Sequence, residues 1–342
     1  MQMVMEQENQ VFLEPVFVEN SIPVVFAANN SFVPMFAACL RSLIDNVSED
    51  HNYDLILLQT DVTKENKLIL SRMIDGYNNI SLRFFDVSSM IRDYNLKANA
   101  HISVETFFRF LIQEILPGYD KVLYLDCDLI VNADVAELYY TDVEGFMLAA
   151  ALDPEIQGHL NGASREIGRY IANDLKLQNP YAYFQAGVLL FNEKQMREAY
   201  SLEQWLTFAS APYKFSDQDV LNRYCEGKVK FLDMAWNLIT DCDHTRVSQI
   251  IVHAPQEIQE AYHRAHAAPK LIHYAGHRKP WHKPTEDMAQ FFWSALRRTP
   301  YYEEVLYSMT RFAAKECILE DRKSRSLCWR FLRLVKKNLF RK

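Results

Sequence analysis

Two aspartates that follow an apolar run are the residues of this chain best placed to do chemistry. Asp126 and Asp128 stand one residue apart, directly after the run Val122–Leu125. A short apolar run of this kind predicts a buried β-strand. Carboxylates beside a core need a partner, and a hard divalent cation is one that oxygen ligands prefer. The pair therefore predicts a metal site; the alternative is two surface acids that cap the loop after the strand.

A second candidate segment runs from His273 to His282. Another strand-like run ends in His273, with Gly276 three positions later, Lys279 six positions later, and then Pro-Trp. An imidazole can serve as a third metal ligand, and a nitrogen ligand beside two carboxylates favours manganese over magnesium. Glycine lets the backbone approach a ligand closely, and lysine is a point charge suited to phosphate. The alternative is a basic loop with a structural tryptophan.

Two further segments carry polar groups beside small residues or at a helix start. Gln185 offers an amide just before Ala186 and Gly187, which are small enough to let a sugar lie against the backbone. A turn before a core strand explains the same residues without function. Asp217 and Gln218 begin a predicted helix, where the helix dipole already favours an acid. That explanation accounts for Asp217 and Asp219 but not for Gln218.

Alternating strand and helix patterns must position these side chains. The predicted strands are Ile22–Ala28, Tyr53–Gln59, Ile80–Phe85, Val122–Leu125, Phe146–Leu152, Gly187–Phe191 and Lys270–Ile272. The predicted helices are Phe32–Ile44, Lys64–Met73 with Thr63 as N-cap, Thr106–Leu116, Asp217–Tyr224 and Phe291–Glu320. This order predicts a mostly parallel sheet with helices on its faces, in which ligands bind beyond the carboxyl ends of the strands.

Charge is distributed unevenly along the chain. The 342 residues carry a net charge of −7, with +8 in residues 321–342 and −15 in the remainder. An acidic body argues against nucleic acid as a partner. The tail has apolar and basic residues at helical spacing, which predicts an interfacial anchor on the anionic inner face of the membrane. A helix that docks on the acidic body is the alternative.

Several common signals are missing from the sequence. It has no dinucleotide-binding or P-loop glycine motif. Residues 1–20 lack the basic start and apolar run of a signal peptide, and no apolar run reaches about 18 residues. We therefore expect a cytoplasmic protein, peripheral to the membrane.

Taken together, the segments resemble glycosyltransferase family 8 from about Pro23 to His282. The resemblance rests on Phe-Ala-Ala at 26–28, Phe-Phe-Arg at 107–109, Leu-Asp-Cys-Asp at 125–128, Ala-Gly-Val-Leu at 186–189, Asp-Gln-Asp at 217–219, and His273 through Trp281. It implies an α/β glycosyltransferase A fold, with a mostly parallel, Rossmann-like sheet and helices on both faces. We expect an N-terminal extension over 1–20, a catalytic domain over 21–284, and a helical region over 285–342 that includes the tail.

The resemblance also implies roles for individual residues. Asp126, Asp128 and His273 match manganese ligands, with magnesium as a second possibility, and Gly276 and Lys279 match diphosphate-binding positions. The positions expected to meet the rest of the donor are Ala27, Asn29, Arg109, Asp153, Gln185, Ala186 and Gly187, with Asp217 and Gln218 at the reacting sugar. Asn29 and Asn30 stand where relatives often carry acids, and Gln185 stands where asparagine is usual.

The expected reaction is transfer of galactose or glucose from a UDP-sugar, with retention, to a glycan or lipid-linked acceptor. Lipopolysaccharide or surface polysaccharide would be the product. Gln218 is a poor nucleophile, which favours same-face attack over two displacements. Two alternatives are a soluble transferase acting on a protein or storage glycan and a catalytically silent nucleotide-sugar-binding protein. A metal-dependent phosphohydrolase would need further ligands for a second metal.

Overall fold

The computed structural model describes residues 12–92, 94, 96 and 103–314. In these residues ten strands form two sheets: β1 Ser21–Ala27, β2 Asn52–Gln59, β3 Ile80–Asp86, β4 Lys121–Leu125, β5 Leu129–Val131, β6 Leu148–Ala150, β7 Val188–Asn192, β8 Val229–Phe231, β9 Leu238–Ile239 and β10 Leu271–His273.

The helices lie mainly between these strands. They are α1 Val33–Ile44, α2 Lys64–Arg72, α3 Ser88–Ile91, α4 Ile112–Ile115, α5 Val135–Tyr139, α6 Pro154–Leu160, α7 Arg165–Arg169, α8 Glu193–Ala199, α9 Leu202–Ala209, α10 Ser216–Tyr224, α11 Arg246–Gln249, α12 Gln256–Ala267 and α13 Ala289–Leu296. Short 3₁₀ segments include Val104–Leu111 and Met234–Asn237, and a π-helical turn spans Tyr170–Asp174.

The main sheet is mostly parallel, as the sequence predicts. Its seven strands run in the order β3-β2-β1-β4-β7-β6-β8. Neighbours from β3 to β4 are parallel, as are β6 and β8, whereas β7 is antiparallel to both β4 and β6. The carboxyl ends of β1 and β4 therefore lie side by side at one edge, where a ligand is expected.

Both faces of the central strands of this sheet are covered, which explains why β1, β4 and β7 are almost entirely apolar. Along β1, Val24 and Phe26 pack into one buried cluster with α1 and α13. Val25 packs into a second cluster that contains Phe108 and Trp205. Successive side chains of β1 therefore point to opposite faces of the sheet, and both faces are buried.

A small second sheet positions His273. Strand β10 lies between β5 and β9, and its antiparallel register pairs His273 with Leu129. Since Leu129 directly follows Asp128, this register brings the histidine to the two aspartates. The Tyr274 N–H donates to the Asp128 carbonyl at 3.1 Å and continues the pairing.

The predicted elements are found with two differences. The Thr63 N-cap is confirmed, since its hydroxyl accepts from the Asn66 N–H at 3.2 Å. The α-helix predicted over Thr106–Leu116 is wrong in its first part, because Val104–Leu111 is a 3₁₀ helix. Over so short a segment, the spacing of apolar residues cannot distinguish a 3₁₀ helix, with 3.0 residues per turn, from an α-helix, with 3.6. Within the 3₁₀ helix, the buried Arg109 donates through Nε to the Thr106 carbonyl three residues earlier.

The second difference lies near the end of the chain. The single helix predicted over Phe291–Glu320 is interrupted after α13 and resumes over 302–314. Pro300 explains the break, because the residue before a proline avoids helical geometry. The predicted amphipathic tail, 321–342, lies outside the described residues. Leu13, in the predicted N-terminal extension, is buried and donates its N–H to the Ile115 carbonyl at 2.7 Å.

No helix in the described ranges is both long and apolar enough to span a bilayer.

Candidate active site

Asp126, Asp128 and His273 meet at the carboxyl edge of the main sheet. One oxygen or nitrogen atom from each lies within 4.8 Å of the others. His273 Nε2 is 3.2 Å from Asp128 Oδ1 and 3.8 Å from Asp126 Oδ2. The imidazole is 2% exposed, so its orientation is fixed by its neighbours. Two carboxylates and one imidazole are a ligand set that suits a divalent cation.

Asn237, which the sequence analysis did not single out, fixes the histidine. His273 Nδ1 lies 3.0 Å from Asn237 Oδ1, and an amide oxygen can only accept, so Nδ1 carries the hydrogen and Nε2 faces the carboxylates. Asn237 Nδ2 in turn donates to Gln185 Oε1 at 2.6 Å, and the same oxygen accepts the Gly187 N–H at 2.5 Å. Gln185 thus supports the histidine from behind. Nothing in the spacing of the sequence connects Asn237 to His273.

We expect Asn237→Ala to lower affinity for Mn²⁺ about 10- to 100-fold, the usual cost of losing a group that orients a metal-binding histidine. The measurement is a titration of Mn²⁺ by isothermal calorimetry. Asn46→Ala is the matched control, because Asn46 also donates to interior carbonyls, those of Ser42 and Val131, outside the site. Equal Mn²⁺ affinity in the two variants would contradict the role given to Asn237.

Gly187 must be a glycine because His273 and Asp126 pack directly on its backbone. A Cβ there would lie 2.3 Å from His273 Cε1 and 2.9 Å from Asp126 Oδ2. The Asp126 N–H donates to the Gly187 carbonyl at 2.8 Å, so the backbone itself cannot retreat without losing that bond.

Gly187→Ala is accordingly expected to displace the imidazole and to destabilise the fold by about 1–3 kcal/mol. Mn²⁺ affinity and the free energy of unfolding would both be measured. The comparison is Gly118→Ala, whose Cβ would lie 2.9 Å from Pro15 Cδ, away from the site. A similar loss of stability is expected in both, but loss of Mn²⁺ binding only in Gly187→Ala; retained binding would show that His273 tolerates the methyl group.

Arg109 connects Asp126 to Asp217. Its guanidinium is buried, with Nη2 3.0 Å from Asp126 Oδ1 and Nη1 3.0 Å from Asp217 Oδ2. It also donates to the Ala186 carbonyl at 2.5 Å and stacks on Tyr124, 4.2 Å from the ring centroid. Because its two terminal nitrogens contact different carboxylates, the planar guanidinium orients both at once.

Gln218 and Asp217 are both held by hydrogen bonds. Gln218 Oε1 accepts the Ala186 N–H at 2.9 Å, and its Nε2 donates to Asp153 Oδ2 at 3.1 Å. Asp217 accepts from the Thr106 hydroxyl at 2.5 Å as well as from Arg109. Burial raises the pKa of Asp217 to about 6, and the charge of Arg109 opposes that rise.

Asp153 has a structural role in addition to its contact with Gln218. Its Oδ1 caps helix α6 by accepting the N–H groups of Glu155 and Ile156 at 2.9 and 3.1 Å. Burial, together with the nearby charge of Glu155, raises the pKa of Asp153 to about 6. The cap therefore fixes the orientation of the Asp153 carboxylate, whose other oxygen accepts the hydrogen bond from Gln218 Nε2.

Asp219 holds the turn that presents Asp217 and Gln218. Its carboxylate accepts the hydroxyls of Tyr170 and Tyr183, each at 2.7 Å, and the Phe215 N–H at 2.8 Å. The turn needs this support because Ser216 adopts a left-handed conformation with φ of 50°. The general preference for acidic residues in the first turn of a helix is therefore not a sufficient explanation for Asp219, which also supports this turn.

Lys279 forms an ion pair with one of the proposed cation ligands. Its Nζ lies 2.5 Å from Asp128 Oδ2 and donates to the Tyr274 carbonyl at 2.5 Å. Burial alone would raise the pKa of Asp128, but the charge of Lys279 and the neighbouring His273 ring outweigh it and hold that pKa well below its usual range. The lysine predicted to bind diphosphate thus lies directly beside the proposed cation site.

The remaining predicted donor-binding residues lie at the end of β1 and in neighbouring loops. The Ala27 carbonyl accepts from Cys127 Sγ at 3.3 Å, which places the end of β1 beside the two aspartates. The Asn29 side chain accepts the Phe32 N–H at 3.2 Å and the Ser31 hydroxyl at 2.7 Å. Its amide oxygen therefore stabilises its own loop. Gly276 has a φ of +112°, a conformation that glycine adopts readily.

A second group of possible metal ligands lies nearby. Cys242, Asp243 and His277 also have one ligand atom each within 4.8 Å of the others. His277 is largely exposed and lies 2.9 Å from Asp243 Oδ2, while Arg278 Nε is 3.7 Å from the other oxygen. Contacts with the His277 ring and the Arg278 guanidinium account for the arrangement of Asp243.

The fold and the site define a glycosyltransferase with the glycosyltransferase A fold. The model of glycosyl transferase family 8 matches residues 23–285, and the chain belongs to this family. This confirms the resemblance and the fold class predicted from sequence.

Known proteins agree with this assignment. A lipopolysaccharide 1,2-glucosyltransferase of Escherichia coli (strain K12) is 27% identical over 203 residues, covering 58% of this chain and 55% of that protein. The apo structure of the bifunctional glycosyltransferase WbbM is 30% identical with a TM-score of 0.78, covering 87% of this chain and 53% of that one. This chain thus spans about half the length of both. The galactosyltransferase LgtC, solved with donor and acceptor sugar analogues, has the same fold, with a TM-score of 0.65 at 22% identity and coverage of 82% and 96%.

Proposed function

We propose that this protein transfers galactose or glucose from a UDP-sugar, with retention, to a glycan or lipid-linked acceptor during synthesis of lipopolysaccharide or surface polysaccharide. The observation that carries the proposal is the meeting of Asp126, Asp128 and His273 beside Lys279 at the sheet edge. Family membership supports it, as do relatives named as lipopolysaccharide glucosyl- and galactosyltransferases.

The three ligands fit a divalent cation. Nε2 of His273 is free to bind because Nδ1 is engaged by Asn237, and Gly187 leaves room for the imidazole to lie against the backbone. The nitrogen ligand favours Mn²⁺ over Mg²⁺. A cation held by these residues would supply Lewis-acid stabilisation of the departing diphosphate.

Lys279 supplies a second positive charge for the diphosphate. In the structure Asp128 holds this ammonium group within the site, and Arg109 balances Asp126 from the buried side. Fixed cations aimed at developing negative charge act strongly in a site that excludes water. Lys279 would pass from Asp128 to a diphosphate oxygen as donor and cation bind.

The hydrogen bonds of Gln218 and Asp217 support same-face attack. An amide is a poor nucleophile, and both ends of the Gln218 amide are already engaged. Asp217 is likewise occupied by Thr106 and Arg109. These groups orient the donor sugar and favour positive charge on it, while the acceptor hydroxyl attacks from the side that the diphosphate leaves.

A panel of UDP-sugars tests the proposal. UDP release would be measured with Mn²⁺, with Mg²⁺ and with chelator, each with and without lipid-linked glycans as acceptors. We expect Mn²⁺-dependent turnover of one hexose donor, and NMR of the product would show the anomeric configuration of the donor retained. UDP binding without turnover of any donor under all conditions would instead identify a silent nucleotide-sugar-binding protein.

The tail is proposed to hold the enzyme on an anionic membrane surface. Support comes from its composition alone, nine lysine or arginine residues and one acid in 321–342. Near anionic lipid each basic residue contributes about 1 kcal/mol. Binding to phosphatidylglycerol vesicles that salt reverses, and that neutral vesicles lack, is expected. Binding of the full chain to neither kind of vesicle would favour the soluble alternative, and equal binding to both would contradict an anchor that acts through charge.

A further inference from the structure

A continuous chain of hydrogen bonds runs along one side of the candidate site. It starts where Gln218 accepts the Ala186 N–H and donates to Asp153 Oδ2. The other oxygen of Asp153 accepts the Glu155 N–H at 2.9 Å. The Glu155 side chain then accepts from Arg246 Nε at 2.9 Å.

Arg246 completes the chain beneath the loop that carries Gly276 and Lys279. Its Nη2 donates to the Ala275 carbonyl at 2.9 Å, and its Nη1 donates to the Thr240 carbonyl. The guanidinium is buried, and a Cβ on Gly276 would lie only 2.9 Å from Nη2. The left-handed Gly276 turn therefore rests directly on this arginine.

Helix α6, which carries Glu155, is itself rigidly placed. A Cβ on Gly158 would lie 2.2 Å from the Ile250 carbonyl oxygen, so the helix packs against the backbone that follows α11. His159 and Arg246 together hold the pKa of Glu155 down to about 2 against the opposing effect of burial. The glutamate is therefore ionised at neutral pH and forms a charged pair with Arg246.

We propose that Arg246 and Glu155 are positioning residues that fix the Ala275–Lys279 loop relative to Gln218, so that binding of the donor sugar and binding of the diphosphate reinforce each other. This inference rests on the proposed function, which places the sugar at Gln218 and the diphosphate at Lys279. The physical basis is that Arg246 joins Glu155 on one side to the Ala275 and Thr240 carbonyls on the other, through directional hydrogen bonds between buried or half-buried groups. Energetic coupling along such a chain must be measured, since contiguity does not prove it.

The test compares affinities for UDP and for the intact UDP-sugar, with Mn²⁺ present, by calorimetry. We expect Arg246→Met to weaken UDP binding about tenfold, and Gln218→Ala to weaken binding of the UDP-sugar but not of UDP. In the double variant Arg246→Met/Gln218→Ala, the loss of affinity for the UDP-sugar should differ by about fivefold from the product of the two single losses, which is within the usual range for coupled sites. Additive losses would overturn the proposal.

Arg83→Met is the matched control, because Arg83 forms a comparable ion pair with the buried Asp54 at 2.5 Å, among strands away from the loop. An effect of Arg246→Met on UDP affinity no larger than that of Arg83→Met would also overturn the proposal. Glu155→Gln and Arg246→Lys make the same test if Arg246→Met does not fold. We expect Arg246→Lys, which keeps the charge, to restore part of the affinity.

Hydrogen exchange distinguishes failure of this inference from failure of the proposed function. If the wild type binds no UDP with Mn²⁺, the proposed function fails. The positioning role is then judged by the amides of residues 275–279, whose exchange should be faster in Arg246→Met than in Arg83→Met. Unchanged exchange there would overturn the role whatever the protein binds.

Discussion

Asp128→Asn is expected to reduce Mn²⁺-dependent turnover of the donor by about 1000-fold. A neutral amide is a weak ligand for a hard cation, and the substitution also releases Lys279 from its ion pair. Loss of the cation removes several kcal/mol of transition-state stabilisation, and each factor of ten in rate corresponds to about 1.4 kcal/mol. Because asparagine has nearly the same shape as aspartate, the fold should survive, and circular dichroism with UDP-release kinetics would check both statements.

Asp45→Asn provides the control for the loss of a paired carboxylate. Asp45 forms ion pairs with Arg41 at 2.8 Å and with Arg298 at 2.5 Å, on the C-terminal side of α1. This variant should turn over the donor at the wild-type rate. Substantial Mn²⁺-stimulated activity in Asp128→Asn, within tenfold of Asp45→Asn, would mean that the cation is held elsewhere.

Arg109→Met is expected to lower the free energy of unfolding by about 3–5 kcal/mol, the usual cost of leaving buried partners of an ion pair uncompensated. Two carboxylates depend on this guanidinium, Asp126 and Asp217. Turnover should fall by about 100-fold, because Asp126 loses the group that orients it. Denaturant unfolding at neutral pH and UDP-release kinetics would be measured on the same preparation.

The double variant Arg109→Met/Asp217→Asn separates the structural effect from the chemical one. Removing the stranded carboxylate should recover part of the stability but none of the activity. Arg83→Met is again the comparison, with loss of a buried pair but unchanged turnover. If the double variant recovered activity as well as stability, the arginine would act only in folding.

The sequence predicts the sheet well because its strands are buried on both faces. In β1 and β4 nearly every residue is apolar, and β2 contains the apolar run Leu55–Leu58, which separates these strands from the amphipathic helices between them. Asp126 and Asp128 are close in space simply because they are close in the sequence. Such local patterns can be interpreted without knowing the tertiary structure.

The groups that hold the site in place could not be predicted in the same way. Asn237 reaches His273 only because β10 pairs with β9, and Arg246, at the start of α11, reaches Ala275 only through tertiary packing against the loop after β10. Lys279 was predicted to meet a diphosphate, and its pairing with Asp128 follows from packing across 151 positions of sequence. No periodicity or motif encodes such contacts, since they arise from the register of distant segments.

The most direct test of the account is calorimetric binding of UDP to the wild-type protein, first with Mn²⁺ and then with the metal removed by chelator. If Asp126, Asp128 and His273 hold a cation that bridges to the diphosphate, UDP should bind with Mn²⁺ and lose at least about tenfold in affinity without it. UDP binding that is equally tight with chelator would contradict the central claim, because the three ligands would then have no part in holding the donor.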